Sequence, residues 1–300
     1  MDKNTKDLPT QTLSPFGGDA KILQVLPVGF VVEQYRRKCG VDVSSSFGPL
    51  MNIGLYECDR TGYKFWRPED VAGDERFYRD ISHAWEGYYR TERWEYSLVR
   101  KFLTGKESLL EVGCGKGYFL RSIEARMKSV MGLEFNEEAI LNKVTSADVL
   151  HMSIEEIAAT GKKFDVVCAF QVLEHVTDPR SFIEWALACL HDGGTLVLST
   201  PNNDSVQFRN QEDIFDVPPH HVGHFTAEVY EEVAKQFGCS IFRTVIQPCR
   251  ATLPNPTQKT GNSVFHRVVS LVARALVNVS YRINNEPGDA ILVFMRKDVC

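Results

Sequence analysis

The sequence predicts a doubly wound α/β protein, a seven-stranded and mostly parallel sheet with helices on both faces. Two observations lead there. From Ser108 onward, short apolar runs alternate with segments of helical period. Runs such as "SLLEV", "FDVVCAF" and "GTLVLST" are apolar on both sides, as strands covered by helices above and below must be. A third observation, a glycine turn after the first of these runs, places a ligand at the carboxyl edge of the sheet.

The elements follow in order. Residues 1–70 hold a polar tail of about 20 residues and a small β-rich module, with strand-like runs in "KILQVLPVGFVVEQY" and "IGLYECDRTGYKFW". Residues 71–103 turn helical and aromatic. The main domain then occupies 104–300. Its strands are expected at "SLLEVG", "SVMGLEF", "ADVLHMS", "FDVVCAF", "GTLVLST", "SIFRTVIQ" and "AILVFMRK". Helices are expected at "GYFLRSIEARM", "EEAILNKV", "DPRSFIEWALACL" and "TAEVYEEVAKQFG". Asp178 and Thr226 suit the N-cap positions of the last two, Pro179 the first helical turn, and Gly238 the helix end. A helical insertion is expected at about 250–287, with Phe265, Val268, Val269, Val272, Leu276 and Val279 on one face and Arg267 and Arg274 opposite.

Composition removes some classes of function. The chain has 300 residues, 43% of them hydrophobic, and a formal net charge of -5. Its pI of about 5.9 argues against a nucleic-acid wrapper, which needs a basic footprint. The start, "MDKNTKDLPT", has no apolar core of a signal peptide, and no apolar run reaches the ~18 residues of a membrane span. The eight cysteines are scattered, several inside strand-like runs. A cytoplasmic protein with reduced thiols is expected.

The turn itself reads G-x-G-x-G at Gly113, Gly115 and Gly117. A dinucleotide fingerprint would read G-x-G-x-x-G and would present bare helix N–H groups to a pyrophosphate. Here Glu111 precedes the turn, and a carboxylate there repels phosphate. It suits a cationic ligand, such as the ammonium and sulfonium of S-adenosylmethionine. Glu134 ends the second strand about twenty residues on, where an acid binds ribose hydroxyls. That feature serves a nicotinamide cofactor equally well, so the discrimination rests on Glu111 and the glycine spacing.

With these residues in place, the chain resembles the class I S-adenosylmethionine-dependent methyltransferases, which have a Rossmann-like fold. "LLEVGCGKGYFL", "MGLEFN", "FDVVCAFQVLEHV" and "LHDGGTLVLSTPN" match four of their motifs in order. Asp192 replaces a proline common in the last. The resemblance implies that the three glycines admit the cofactor closely and that Glu111 orients its amino group. It also implies that Glu134 binds both ribose hydroxyls and that Phe135 covers the adenine. Ser153 and Ile154 would meet the adenine edge, while Phe170 and Gln171 would lie near adenosine and methionine. The segment carrying Tyr88, Tyr89, Arg93 and Trp94 would cover the cofactor, with Tyr89 in contact; plain packing on the sheet is the alternative. His175, in "LEHV", recurs in the family and receives no catalytic role.

"DVPPHHVGHFT" follows the fifth strand and offers His220, His221 and His224. The resemblance extends to this P-P-H-H segment. A hydroxyl acceptor needs a base near neutral pH, which histidine supplies; His221 is the expected base, with His220 and His224 as competitors. A rigid structural loop and a metal site are the other readings, although no Asp/Glu/Cys set at ligand spacing accompanies the histidines. No metal is expected. Cys39 and Cys58 look like remnants of the zinc-binding module found ahead of some sugar methyltransferases, one thiol per knuckle where two are needed; two unrelated hairpins is the alternative. The whole then implies methylation of a small molecule, foremost O-methylation of a sugar or glycan as in polysaccharide biosynthesis. Methylation of a quinone or phenol, a non-catalytic S-adenosylmethionine-binding protein and a nicotinamide enzyme remain open beside it. The C-terminal helical insertion would serve as a lid, a homodimer contact or a surface toward a lipid-linked substrate.

Overall fold

The computed structural model describes residues 8–85, 87–205, 208, 214–248 and 288–298. The helical insertion expected at about 250–287, with its lid and dimer readings, lies outside the described residues.

The N-terminal part builds an antiparallel sheet from β1 (Gln11–Leu13), β2 (Asp19–Pro27), β3 (Asn52–Cys58) and β4 (Lys64–Arg67). Between β2 and β3 runs helix α1, Val28–Cys39, where the sequence reading expected strand. Val28, Val31, Val32 and Tyr35 are its buried residues, at positions i, i+3, i+4 and i+7, so the period is helical although the run is rich in valine. Cys39 therefore ends a helix and Cys58 ends a strand. Their thiols donate to different carbonyls, Tyr35 O and Gly17 O. Two matching knuckles on hairpins are not what this backbone forms.

The aromatic segment is also not one helix. It divides into α2 (Glu75–Ala84) and α3 (Trp94–Phe102), and the chain between them carries Tyr88 and Tyr89.

The main sheet is seven-stranded. Its strands are β5 (Ser108–Val112), β6 (Ser129–Leu133), β7 (Asp148–Leu150), β8 (Phe164–Phe170), β9 (Leu190–Pro201), β11 (Cys239–Ile246) and β12 (Ala290–Lys297), in spatial order β11-β12-β9-β8-β5-β6-β7. All pairs from β9 to β7 are parallel, and β12 runs antiparallel to both β9 and β11. Helices α4 (Tyr118–Ile123), α5 (Glu137–Leu141), α6 (Ile154–Ala159), α7 (Pro179–Ala188) and α8 (Ala227–Gln236) connect the strands. Two large apolar clusters form, one on Leu110, Val167, Leu198 and Val293, the other on Leu109, Val166, Val197 and Phe294. Alternate residues of β8, β9 and β12 fall into different clusters, as helices on both faces require. Asp178 caps α7 by accepting from Ser181 N, and Thr226 caps α8 by accepting from Val229 N, as the sequence indicates.

After β7 the chain returns across β5 to lay down β8 on its other side. That reversal opens a crevice at the carboxyl ends of β5 and β8, where such sheets bind ligands. The parallel pairing of β8 with β9 brings the segments that follow both strands to the same edge. The last strand of the smaller sheet, β10 (Gly223–His224), belongs to the loop after β9 and pairs with β4 through Gly223 opposite Phe65. The histidine loop thus joins the two sheets. Among the described residues, no helix is long and apolar enough to cross a membrane.

Candidate active site

A cavity of about 1120 Å³ opens at this edge. One end is the glycine turn. Gly113, Gly115 and Gly117 have φ of +69°, +55° and +77°. A Cβ on Gly115 would lie 2.8 Å from Tyr89 Cδ1, and one on Gly113 would lie 2.5 Å from Val172 Cγ2, so neither site admits a side chain without displacement.

Glu134 holds the turn in shape. Its Oε2 accepts from Gly115 N at 2.7 Å, and its Oε1 accepts from Phe135 N at 3.0 Å and Asn136 N at 2.9 Å. A carboxylate offers about four acceptor directions, and these bonds fill three. The arrangement has room for one ribose hydroxyl on Oε2; a second requires the Gly115 N–H to let go. Burial raises the Glu134 pKa, against the pull of the three backbone donors. Asn136 caps α5 and donates from Nδ2 to the Tyr89 hydroxyl at 2.8 Å, which pins the Tyr89 ring over the turn.

Glu111 is buried at the end of β5, and its Oε2 has no hydrogen-bond partner. Burial pushes its pKa well above the ordinary carboxylate value; Glu134 adds to the rise and Arg93 opposes it. A buried acceptor left without a donor costs about 1–3 kcal/mol. An ammonium placed in the cavity beside it would remove that cost.

Gln171, at the end of β8, is in the left-handed region with φ +57°, a strain on the order of 1–3 kcal/mol. Its main-chain N donates to Ser199 O at 2.8 Å, and its Nε2 donates to Ser199 Oγ at 2.9 Å and Glu95 Oε1 at 3.2 Å. Those bonds hold its side chain on the cavity wall.

The other end of the cavity carries the histidines. His220 and His221 line it, together with His175 and Glu174 from the segment after β8. His221 donates from Nδ1 to Asp216 Oδ1 at 3.2 Å. His220 donates from Nδ1 to Phe215 O at 3.1 Å, and its Nε2 faces the Tyr88 hydroxyl at 3.4 Å. His175 donates from Nδ1 to His220 O. His224 is buried behind this group, with Nε2 against Asp216 O at 3.0 Å, and does not line the cavity. Burial drives His175 down to about 3 and His220 well below its ordinary value, so both imidazoles are neutral. Burial also pushes Glu174 up to about 7, and both its carboxylate oxygens lack partners.

Of the residues expected from sequence, Glu111, Gly113, Gly115, Glu134, Phe135, Phe170, Gln171 and Tyr89 line the cavity, as do Tyr88, Arg93 and Trp94. Gly117 shapes the turn from behind, against Thr145. Ser153 and Ile154 stand elsewhere. Ser153 caps α6 in a reciprocal pair with Glu156, and Ile154 is buried in the core. The residue at the cavity is His151, immediately after β7, with its ring 6.1 Å from Phe135. Position directly after the strand was the available signal. Glu95, Glu174 and His175 were not expected as site residues.

A switch-point crevice with an unpaired buried acid on the first strand and a ribose-type acid on the second defines a nucleoside-cofactor enzyme whose ligand carries positive charge. Residues 87–243 match the family described as "Methyltransferase domain", and the chain belongs to that family. A Mycolicibacterium smegmatis relative named "Probable S-adenosylmethionine-dependent methyltransferase" is 27% identical over 185 residues, 61% of this chain and 70% of its own length. A Mycobacterium tuberculosis protein with the same kind of name is 29% identical over 126 residues, 41% of this chain and 44% of its own. "Ubiquinone biosynthesis O-methyltransferase" of Hahella chejuensis is 31% identical over 156 residues, 46% of this chain and 65% of its own. The matches with the last two thus span less than two thirds of those relatives. Among solved structures, a SAM-dependent methyltransferase from Archaeoglobus fulgidus superposes with TM-score 0.50 at 18% identity, covering 68% of this chain and 93% of that one. One from Thermotoga maritima gives 0.51 at 18%, covering 75% and 97%. These two show the Rossmann-like methyltransferase fold. The cofactor of this family is S-adenosylmethionine, and the donor set in the cavity fits it: Glu111 for the ammonium, Glu134 for the ribose.

Proposed function

We propose that the protein transfers the methyl group of S-adenosylmethionine to a hydroxyl of a small-molecule acceptor. The observation that carries this reading is the orphaned Glu111 carboxylate at one end of a cavity whose other end holds the His221–Asp216 pair. When bound, the cofactor supplies an activated methyl group. This chain's residues do the rest. Glu111 and Glu134 fix the two polar ends of the cofactor, and the Tyr89 ring closes over the turn. His221, its Nδ1–H held by Asp216, presents a bare Nε2 to take the acceptor's proton. Placement and exclusion of water contribute most of the remaining rate in a displacement of this kind.

We assign the acceptor to sugars or glycans. Tyr78, Trp85, Tyr88 and Phe215 wall the histidine end, and a pyranose face can lie flat against such rings. The same wall favours a second reading, a quinone or phenol ring, supported by the name of the Hahella chejuensis relative. The six free thiols among the described residues suit a reducing compartment such as the cytoplasm. A screen with methyl-labelled cofactor over nucleotide sugars, glycans and phenols tests the assignment. Label is expected in the sugar class. Label in phenols alone would shift the assignment to the second reading, and binding with no transfer to any class would leave a cofactor-binding protein without catalysis. Binding of NAD in place of S-adenosylmethionine would remove the reading altogether. For a working acceptor, His221→Ala should cut turnover by about 10²-fold with cofactor affinity intact. Parallel loss of stability and affinity with unchanged turnover per folded molecule would make the residue structural.

A further inference from the structure

We propose that His175, His220 and His221 together form a binding site for one divalent transition-metal ion on the wall of the cavity. One ring nitrogen from each lies within 4.8 Å of the others. Ligand nitrogens about 2.0–2.1 Å from a shared ion stand closer than that, within reach of small ring rotations.

The hydrogen bonds around the rings fix their chemistry. Each Nδ1 faces an oxygen that can only accept: His220 O for His175, Phe215 O for His220 and the Asp216 carboxylate for His221. Each Nδ1 is thus placed to carry a hydrogen, which leaves Nε2 as the nitrogen each ring can offer to an ion. A metal-ligating imidazole has this outer shell, with its second nitrogen donating to a carbonyl or carboxylate.

Glu174 supplies the independent observation. It is 1% exposed, neither carboxylate oxygen has a partner, and Oε1 lies 3.9 Å from His175 Nε2. A buried carboxylate without hydrogen-bond partners beside the His175 imidazole is uncompensated in the ion-free protein, and a cation compensates it. Three imidazoles and one carboxylate favour Zn²⁺, Co²⁺ or Ni²⁺ over Mg²⁺ and Ca²⁺. The four residues line the cavity, so an ion can enter.

The site goes beyond the methyl-transfer reading and rests on it only for its consequence. A lone pair on His221 cannot hold a proton and an ion at once. An ion in this place would take the acceptor oxygen as a further ligand and lower its pKa, replacing His221 as the group that handles that oxygen.

The test uses the whole chain, stripped with a chelator and titrated with Co²⁺ and Zn²⁺. One ion per chain is expected by calorimetry, with visible Co²⁺ bands of low coordination number and no displacement by excess Mg²⁺. His175→Ala and His220→Ala should each weaken Co²⁺ by about tenfold or more, and His224→Ala should leave it unchanged. Calorimetry with S-adenosylhomocysteine on the same samples reports folding and the cofactor site separately. In the unaltered protein labelled with ¹⁵N-histidine, Zn²⁺ should shift the resonances of His175, His220 and His221 together. That measurement stands even where a variant does not fold. Substoichiometric uptake, shifts confined to other histidines, or a thiolate charge-transfer band from Cys114 would overturn the proposal.

Discussion

Replacing Glu111 by Gln keeps the volume of a fully buried side chain and removes its capacity for negative charge. In the ligand-free protein, burial first and Glu134 second hold this carboxyl protonated to a higher pH than an unfolded chain would. The folded state therefore binds the extra proton. Its contribution to stability is fully present below the ordinary carboxylate pKa and is lost as pH rises through the raised folded value. A cofactor ammonium favours the ionised form, so binding should expel a proton within that window. The wild type should thus bind S-adenosylhomocysteine more tightly as pH rises, and calorimetry in two buffers of different ionisation heat should register the proton. Glu111→Gln should lose one charge-assisted bond, ~1.5–3 kcal/mol, or about 10- to 150-fold in Kd. Its binding should be flat with pH and release no proton, while its melting temperature should fall less toward alkaline pH. Equal affinity in the two proteins, with no proton released by either, would refute the reasoning.

Gly115→Ala places a methyl against the Tyr89 ring at a positive φ, and should weaken S-adenosylhomocysteine by calorimetry about tenfold or more, with the fold kept by circular dichroism. Asp216→Asn, still within reach of Asn203 but no longer a two-oxygen acceptor for His221 Nδ1, should lower turnover by about 10²-fold while cofactor affinity holds. Unchanged turnover would detach Asp216 from the chemistry. Thr226→Ala removes the cap of α8, about 1 kcal/mol, and should lower the melting temperature by about 2–4 °C in calorimetric scans with no change in cofactor binding.

Much of the main sheet was legible because β8, β12 and the second half of β9 are apolar runs and α7 and α8 carry caps, while the six-residue α6 was not foreseen. Glu111, Glu134 and the glycines were legible for a related reason: they stand at strand ends, and strand ends are what such patterns locate. Helix α1 was hidden by its valines, since "VGFVVEQY" has the residue preference of a strand and the period of a helix, and packing of Val31 and Tyr35 decided for the helix. Ser153 was displaced from the cavity by a local rule, because a Ser three residues ahead of a Glu forms a capping box. His175 and Glu174 lie far in sequence from His220, and the parallel pairing of β8 with β9, with the bond from Val222 N to Glu174 O, unites them. Both segments were already expected to follow strands of one sheet, and an argument from neighbouring strand ends would have joined them.

The two-residue strand Gly223–His224 has a bearing on how the chain is made. It completes a sheet whose other members are all laid down by Arg67, yet it leaves the ribosome only after the first five parallel strands of the main sheet. Its partner Phe65 lies about half the chain's length behind it. The smaller sheet must wait with an open edge through about half of the chain's synthesis, and exposed edges invite pairing with other chains. The loop that closes the edge is the loop that carries His220 and His221. Completion of the early sheet and assembly of the acceptor end both wait for this one loop, and a nascent chain stopped short of residue 220 lacks both.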